Sequence, residues 1–214
     1  MVSLFRMAGV RDPEATKARI FEAATAEFAA HGIAGARIDR IAQAARANKQ
    51  LIYAYFGNKA ELFSQVMEAR LMELAAANPV DADDPVGWID RLMDYHRTHP
   101  EVIRLVYWEG LEYGSGGIPH EDERQQHYDR KIAAFAKAQE EGTLDSAIPA
   151  PDLLFLMIAM ASWPIVQPHM MRIIVGTEEK DRERLHASVR TAARRLTGWT
   201  EGKDRTEGDA APTA

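Results

Sequence analysis

Apolar residues recur at three- and four-residue steps along most of the chain, a period that gathers them on one side of an α-helix. Ile38, Ile41, Ala42 and Ala45 form one such stripe on a short helix. After a break near Arg46 the pattern resumes over Lys49 to Phe56, with Ile52 and Phe56 facing inward. Asn48 is a favoured N-cap for this second segment. Two short helices joined by a tight turn are therefore predicted. On the second, Gln50, Tyr53 and Ala54 point away from the buried pair, and Lys49 and Lys59 stand near its ends. Such a helix fits a DNA major groove.

The same signals place helices elsewhere. Asp12-Pro13-Glu14 combines an N-cap, a proline at the first helical position and an acid in the first turn. Ile20, Phe21, Ala24 and Phe28 then set a buried face, and His31-Gly32 closes the helix. Asn58 caps a longer helix, Lys59 to about Ala77, carrying Leu62, Phe63, Val66, Met67, Leu71 and Leu74 inward until Asn78-Pro79. Asp84-Pro85 opens a helix to about His99, and Pro100 opens another that ends at the glycine run 114–117. A long amphipathic helix is predicted from about His120 to Glu141. Leu153 to Val166 is apolar nearly all round and is expected to be covered on every side, with a kink at Pro164. The last helix runs from about Glu178 to Leu196. There is no repeat and no convincing strand, so the fold class expected is all-α.

Composition narrows the chemistry. With no cysteine, disulfides and thiolate metal sites are excluded, which suits the cytoplasm. The longest apolar run, Leu153 to Ala161, is well short of the roughly 18 residues of a membrane span, so no membrane partner is expected. Met1 to Gly9 lacks a signal-peptide core. The net charge of −6 is unevenly spread: Met1 to Leu62 carries nine Lys/Arg against six Asp/Glu, or +3, leaving −9 for the rest. A basic end on an acidic remainder fits phosphate contact at one end only.

Other constellations are weaker. His96 and His99 have metal-ligand spacing but no third ligand, and Glu183 with His186 gives one Glu-x-x-His where a di-iron bundle needs two. The alternative of a helical metal- or small-molecule-processing enzyme without DNA binding thus has no positive motif, and no cofactor is expected. Aromatic and methionine residues crowd the middle helices. Met93, His96, Tyr107, Trp108, Tyr128, Phe135, Met157, Met160 and Trp163 are the candidate lining of an apolar ligand cavity, with His96 or Tyr128 as polar handles.

The order of elements over Ile20 to Leu62 resembles the TetR family of transcriptional regulators. The likeness rests on Phe28-Ala29-Ala30-His31-Gly32, on Ile38-Asp39-Arg40-Ile41-Ala42, and on Leu51 through Leu62 with Tyr53-Ala54-Tyr55-Phe56-Gly57-Asn58-Lys59 at its centre. The resemblance implies a three-helix DNA-binding head with a helix-turn-helix, and a six-helix ligand-binding and dimerisation body. In residue numbers this is a flexible leader over 1–12, the head over 13–58, the body over 59–198 and a disordered tail over 199–214. It implies a repressor that binds palindromic double-stranded operator DNA as a homodimer and is released by a small apolar or aromatic effector.

Carried over by position, Arg37, Asn48, Lys49, Gln50, Leu51, Tyr53, Tyr55 and Lys59 would face DNA. The last two long helices would form the dimer through Leu153, Leu156, Met160, Leu185, Val189 and Leu196. Three positions depart from the family pattern. Arg37 stands where a Thr or Ser cap is common, so the second helix forgoes a cap worth about 1 kcal/mol. Arg46 stands at the turn position where Gly is usual, and Leu51 replaces a common hydroxyl residue.

Overall fold

A computed structural model describes residues 12–200, and apart from Asp12, Trp199 and Thr200 the expected leader and tail lie outside the described residues. The described residues form helices α1 (Pro13–Gly35), α2 (Ile38–Ala44), α3 (Lys49–Phe56), α4 (Lys59–Ala77), α5 (Pro85–Thr98), α6 (Pro100–Tyr113), α7 (Glu121–Glu140), α8 (Ala150–Val166), α9 (Pro168–Met170) and α10 (Glu179–Thr197), with no strand among them. The chain divides into two units, Met1–Glu73 with Arg104–Gly117, and Leu74–Ile103 with Ile118–Ala214. The first unit reaches past the expected head boundary at residue 58 to take in most of α4 and α6. None of the helices is by itself long and apolar enough to cross a membrane.

In the first unit Asp12 Oδ1 accepts from the Glu14 and Ala15 amides at 3.0 and 3.3 Å, which starts α1. Gly32 adopts φ 68° but kinks α1 rather than ending it. The position tolerates no side chain, because a Cβ there would lie 2.7 Å from Trp108 Cε3. Trp108 Nε1 and Arg104 Nε both donate to the Ala29 carbonyl, at 3.2 and 2.9 Å. This corrects the expectation for Trp108: its indole is a wedge inside the first unit, and Tyr107 belongs to that unit as well. The core gathers Ile20, Ala24, Phe28, Ile41, Ile52, Leu62, Phe63, Val66 and Leu105, all essentially inaccessible, with Phe28 and Phe63 edge-to-face at 5.2 Å.

In the second unit α8 packs against α5 and α7, and α10 against α5. Trp88, Ile89, Phe135, Leu153, Met157 and Ala193 are buried at its centre, and the Trp88 and Phe135 rings meet edge-on at 5.8 Å. Leu153 and Val189, expected at a dimer interface, are buried within the single chain and have no surface to offer a partner. Nor is α8 covered on every side. Phe155 is 73% exposed, and Leu156 and Trp163 are exposed as well.

The bend expected at Pro164 lies instead at Gln167, where the chain turns by 77° between α8 and the segment Pro168–Val175. That segment, missed by the periodicity, is a short α-turn that widens into a π-helical turn over Met171–Val175 and leaves Ile173 and Ile174 exposed. Trp199, assigned to the tail, is fastened: its Nε1 donates to the Asp83 carbonyl at 2.7 Å and it packs on the second unit's core.

Candidate nucleic-acid interface

The helix pair α2 and α3 is held by contacts that leave one side of α3 bare. Asn48 Oδ1 accepts from the Leu51 amide at 2.8 Å and caps α3, while Ile52 and Phe56 sink into the core. The turn between the helices closes through Ala47 N donating to the Ala42 carbonyl at 2.9 Å, with Arg46 at φ 51°. A non-glycine residue in that region costs roughly 1 kcal/mol, so a cation is kept at the turn at some expense of stability. Arg19 Nε donates to the Ala45 carbonyl at 3.2 Å and braces the same turn from α1. Beyond α3, Gly57 adopts φ 76°, and Asn58 and Glu61 cap α4 reciprocally: Asn58 Oδ1 accepts from the Glu61 amide, and Glu61 Oε2 from the Asn58 amide.

Arg37 makes no side-chain cap for α2. The start of α2 is held from another helix instead, since Glu27 Oε1 accepts from the amide of Arg37 itself at 2.8 Å and from Arg40 Nε at 2.7 Å. Burial pushes the Glu27 carboxyl up, but the bonds from Arg40 and from the Arg37 amide outweigh it and leave the group below the usual carboxylate range. Glu27 therefore fixes the start of α2 against α1. Sequence reasoning missed it, because a glutamate ten residues from the amide it caps leaves no periodic mark.

The expected contact residues fall into two groups. Asn48, Lys49, Gln50 and Tyr53 are exposed on α3, and Arg37 is exposed at the start of α2. Leu51 and Tyr55 are only half-exposed; Tyr55 leans on the core and lies under Lys17 Nζ at 5.4 Å. Two lysines are already engaged. Lys49 pairs with Asp39 of α2, which raises its pKa. Lys59 Nζ donates to the Ala34 and Ala36 carbonyls, at 3.3 Å each, tying the start of α4 to the α1–α2 connection.

Of the residues expected around a ligand, Phe135 and Met157 are inaccessible in the second unit, Met93, Tyr128 and Met160 are half-buried, and Trp163 is exposed. His96 is buried in α5 and hydrogen-bonds the backbone at Ala161; burial lowers its pKa to about 4. Among the described residues its Nδ1 has no partner, and neither has Trp88 Nε1 on the same helix. Since the unfolded imidazole titrates near 6.5 and the folded one near 4, the unfolded chain binds the extra proton between those values. Stability should therefore fall as pH drops through that window, by about 1.4 kcal/mol per unit. Urea denaturation at pH 7 and pH 5 should show a pH-dependent loss about 2 kcal/mol smaller in His96→Leu than in the parent. Equal losses would assign the acid sensitivity elsewhere.

Residues 20–66 match the family model for bacterial regulatory proteins of the tetR family, and residues 84–195 that for the tetracyclin repressor-like C-terminal domain. Over 186 residues the chain is 63% identical to the HTH-type transcriptional repressor SCO4008 of Streptomyces coelicolor, covering 87% of this chain and 97% of that protein. It is 35% identical over 118 residues to the HTH-type transcriptional repressor NicS of Pseudomonas putida, 51% of this chain and 56% of that one. Among solved structures, SCO4942 from Streptomyces coelicolor, described as a transcriptional regulator, superposes with a TM-score of 0.75 at 32% identity, over 86% of this chain and 99% of that one. A regulator from Marinobacter aquaeolei VT8, with a TM-score of 0.62 at 17% identity over 84% of this chain and 95% of that one, shares the fold.

Proposed function

The chain belongs to the TetR family of bacterial helix-turn-helix transcriptional regulators, and on that footing we propose that it is a repressor that binds a palindromic operator as a homodimer and is released by a small apolar or aromatic effector. The bare side of α3 carries this reading: Gln50 can pair bidentately with an adenine edge, and the Tyr53 hydroxyl can donate to phosphate. Lys49 serves phosphate once Asp39 yields it, and Lys59 has one ammonium proton left for the same purpose. The Arg46 cation stands at the turn beside them.

Dimerisation is supported by surface that the single chain leaves uncovered. Phe155, Leu156 and Trp163 stand out from α8, and α10 presents a shallow groove of small residues, Ala187, Ser188, Thr191 and Ala192, between Arg184 and Arg195. Small residues let a second helix approach closely, and apolar ones gain by being covered. A two-fold pairing would set two α3 helices about 34 to 36 Å apart, one duplex turn.

Release operates through α4, a single helix whose residues 59–73 belong to the first unit and 74–77 to the second. An effector bound in the second unit shifts α4 and with it the spacing of the reading helices. Loss of operator affinity by about 100-fold requires a differential affinity of roughly 2.7 kcal/mol between the two states. The unpartnered His96 Nδ1 and Trp88 Nε1 offer an acceptor and a donor to such a molecule.

The test is a fluorescence-anisotropy titration with palindromic duplex DNA at several salt concentrations. Binding should be saturable at two chains per duplex and weaken steeply with salt, in proportion to the phosphates neutralised. A flat salt response, or no binding to any palindrome selected from random duplexes, sinks the reading.

A further inference from the structure

Lys131 stands on the inward side of α7, one turn before the buried Phe135. Its own helix offers it no acid, since the residues three and four positions away are His127, Tyr128, Ala134 and Phe135. Asp129 is two residues away, off Lys131's side of the helix, and its carboxylate accepts from Gln125 at 2.8 Å. The Lys131 ammonium lies instead over the Tyr128 ring, 5.7 Å from its centre, and the His127 ring meets Tyr128 edge-on at 5.9 Å. Arg130 immediately precedes Lys131, so with His127 three basic side chains lie within about one turn. No described carboxylate pairs with Lys131, although the sequence beyond Leu62 carries a charge of −9.

Burial draws the Lys131 pKa down with nothing to oppose it, and the His127 ring is lowered first by burial and then by Lys131 and Arg130. An ammonium taken partly out of water without a counter-ion is a standing cost, which an incoming anion removes. Tyr128 and Ile132 beside it pack on the second unit's core, so an apolar surface adjoins the charge.

We propose that Lys131 anchors an anionic group, a carboxylate, on the small molecule that this unit takes up. Within the effector reading above, on which it rests, this narrows the ligand class to aromatic or apolar acids whose ring lies beside Tyr128 and Ile132. His127 and Arg130 add to the field that draws the carboxylate in.

The test uses three probes that share one aromatic body: naphthalene-2-carboxylate, naphthalen-2-ylmethanol and naphthalen-2-ylmethylammonium. Each is titrated calorimetrically into the full chain and, in parallel, into the chain bound to operator. The carboxylate should bind about tenfold more tightly than the other two, as expected of a partly desolvated charge-assisted bond. That preference should vanish in Lys131→Met and Lys131→Gln, each checked for an unchanged far-UV spectrum, and persist in Lys131→Arg. Equal binding of the three, a preference that survives Lys131→Met and Lys131→Gln, or no binding at all overturns the proposal. Operator release by the alcohol or the ammonium alone removes the anionic class and leaves the effector reading standing.

Discussion

Tyr53→Ala is expected to weaken operator binding by roughly 100-fold or more while leaving the helical spectrum and the oligomeric state unchanged. The ring is 49% exposed, and its hydroxyl has no hydrogen-bond partner among the described residues, so removing it leaves no hole in the core. A hydrogen bond to a charged phosphate is worth about 1.5 to 3 kcal/mol, and a dimer makes it twice. Tyr53→Phe separates the hydroxyl from the ring: if phosphate contact dominates, the phenylalanine variant loses nearly as much as the alanine variant. Anisotropy titrations at one fixed salt concentration measure both. Parent-like affinity in Tyr53→Ala would move the reading surface off α3.

Gly32→Ala is expected to cost about 3 kcal/mol of stability, a large fraction of what holds a domain of this size together. Two sources add. An L-residue at φ 68° carries about 1 to 2 kcal/mol of strain, and a methyl 2.7 Å from the Trp108 ring forces a rearrangement of about 1 to 3 kcal/mol. The sources can be parted by a double-mutant cycle with Trp108→Leu, which removes the ring and leaves the backbone strain. Urea denaturation followed by circular dichroism should show coupling between the two positions. Strict additivity would mean that the indole moves aside freely, despite its bond to the Ala29 carbonyl.

The helix-turn-helix was legible because its signals are local. Asn48 caps a helix that begins one residue later, Ile38, Ile41, Ala42 and Ala45 share a stripe within eight residues, and Asn58 caps the helix that follows. Arg46 was marked out by the family resemblance, as a residue at the turn position where Gly is usual, and it does adopt a positive φ. What escaped depends on partners far along the chain. Glu27 holds the amide that precedes a helix it is not part of, Trp108 fills a notch at Gly32 from five helices further on, and Lys59 gives two of its donors to carbonyls across the α1–α2 connection.

The second unit was read less well for a related reason. An all-round apolar helix such as α8 shows that burial is needed without showing which side this chain provides. Leu153 was therefore assigned to the wrong side and Phe155 to none. The π-helical turn over Met171–Val175 escaped because its period is not that of an α-helix, and the proline at 164 drew attention from the bend at Gln167.

The bond from Trp199 to Asp83 has a practical bearing on how the protein can be altered. Because this indole straps the end of α10 to the stretch leading into α5, the packed contacts reach past the last helix rather than stopping at it. A truncation ending at Gly198 would cut it and loosen the helix offered for pairing with a second copy.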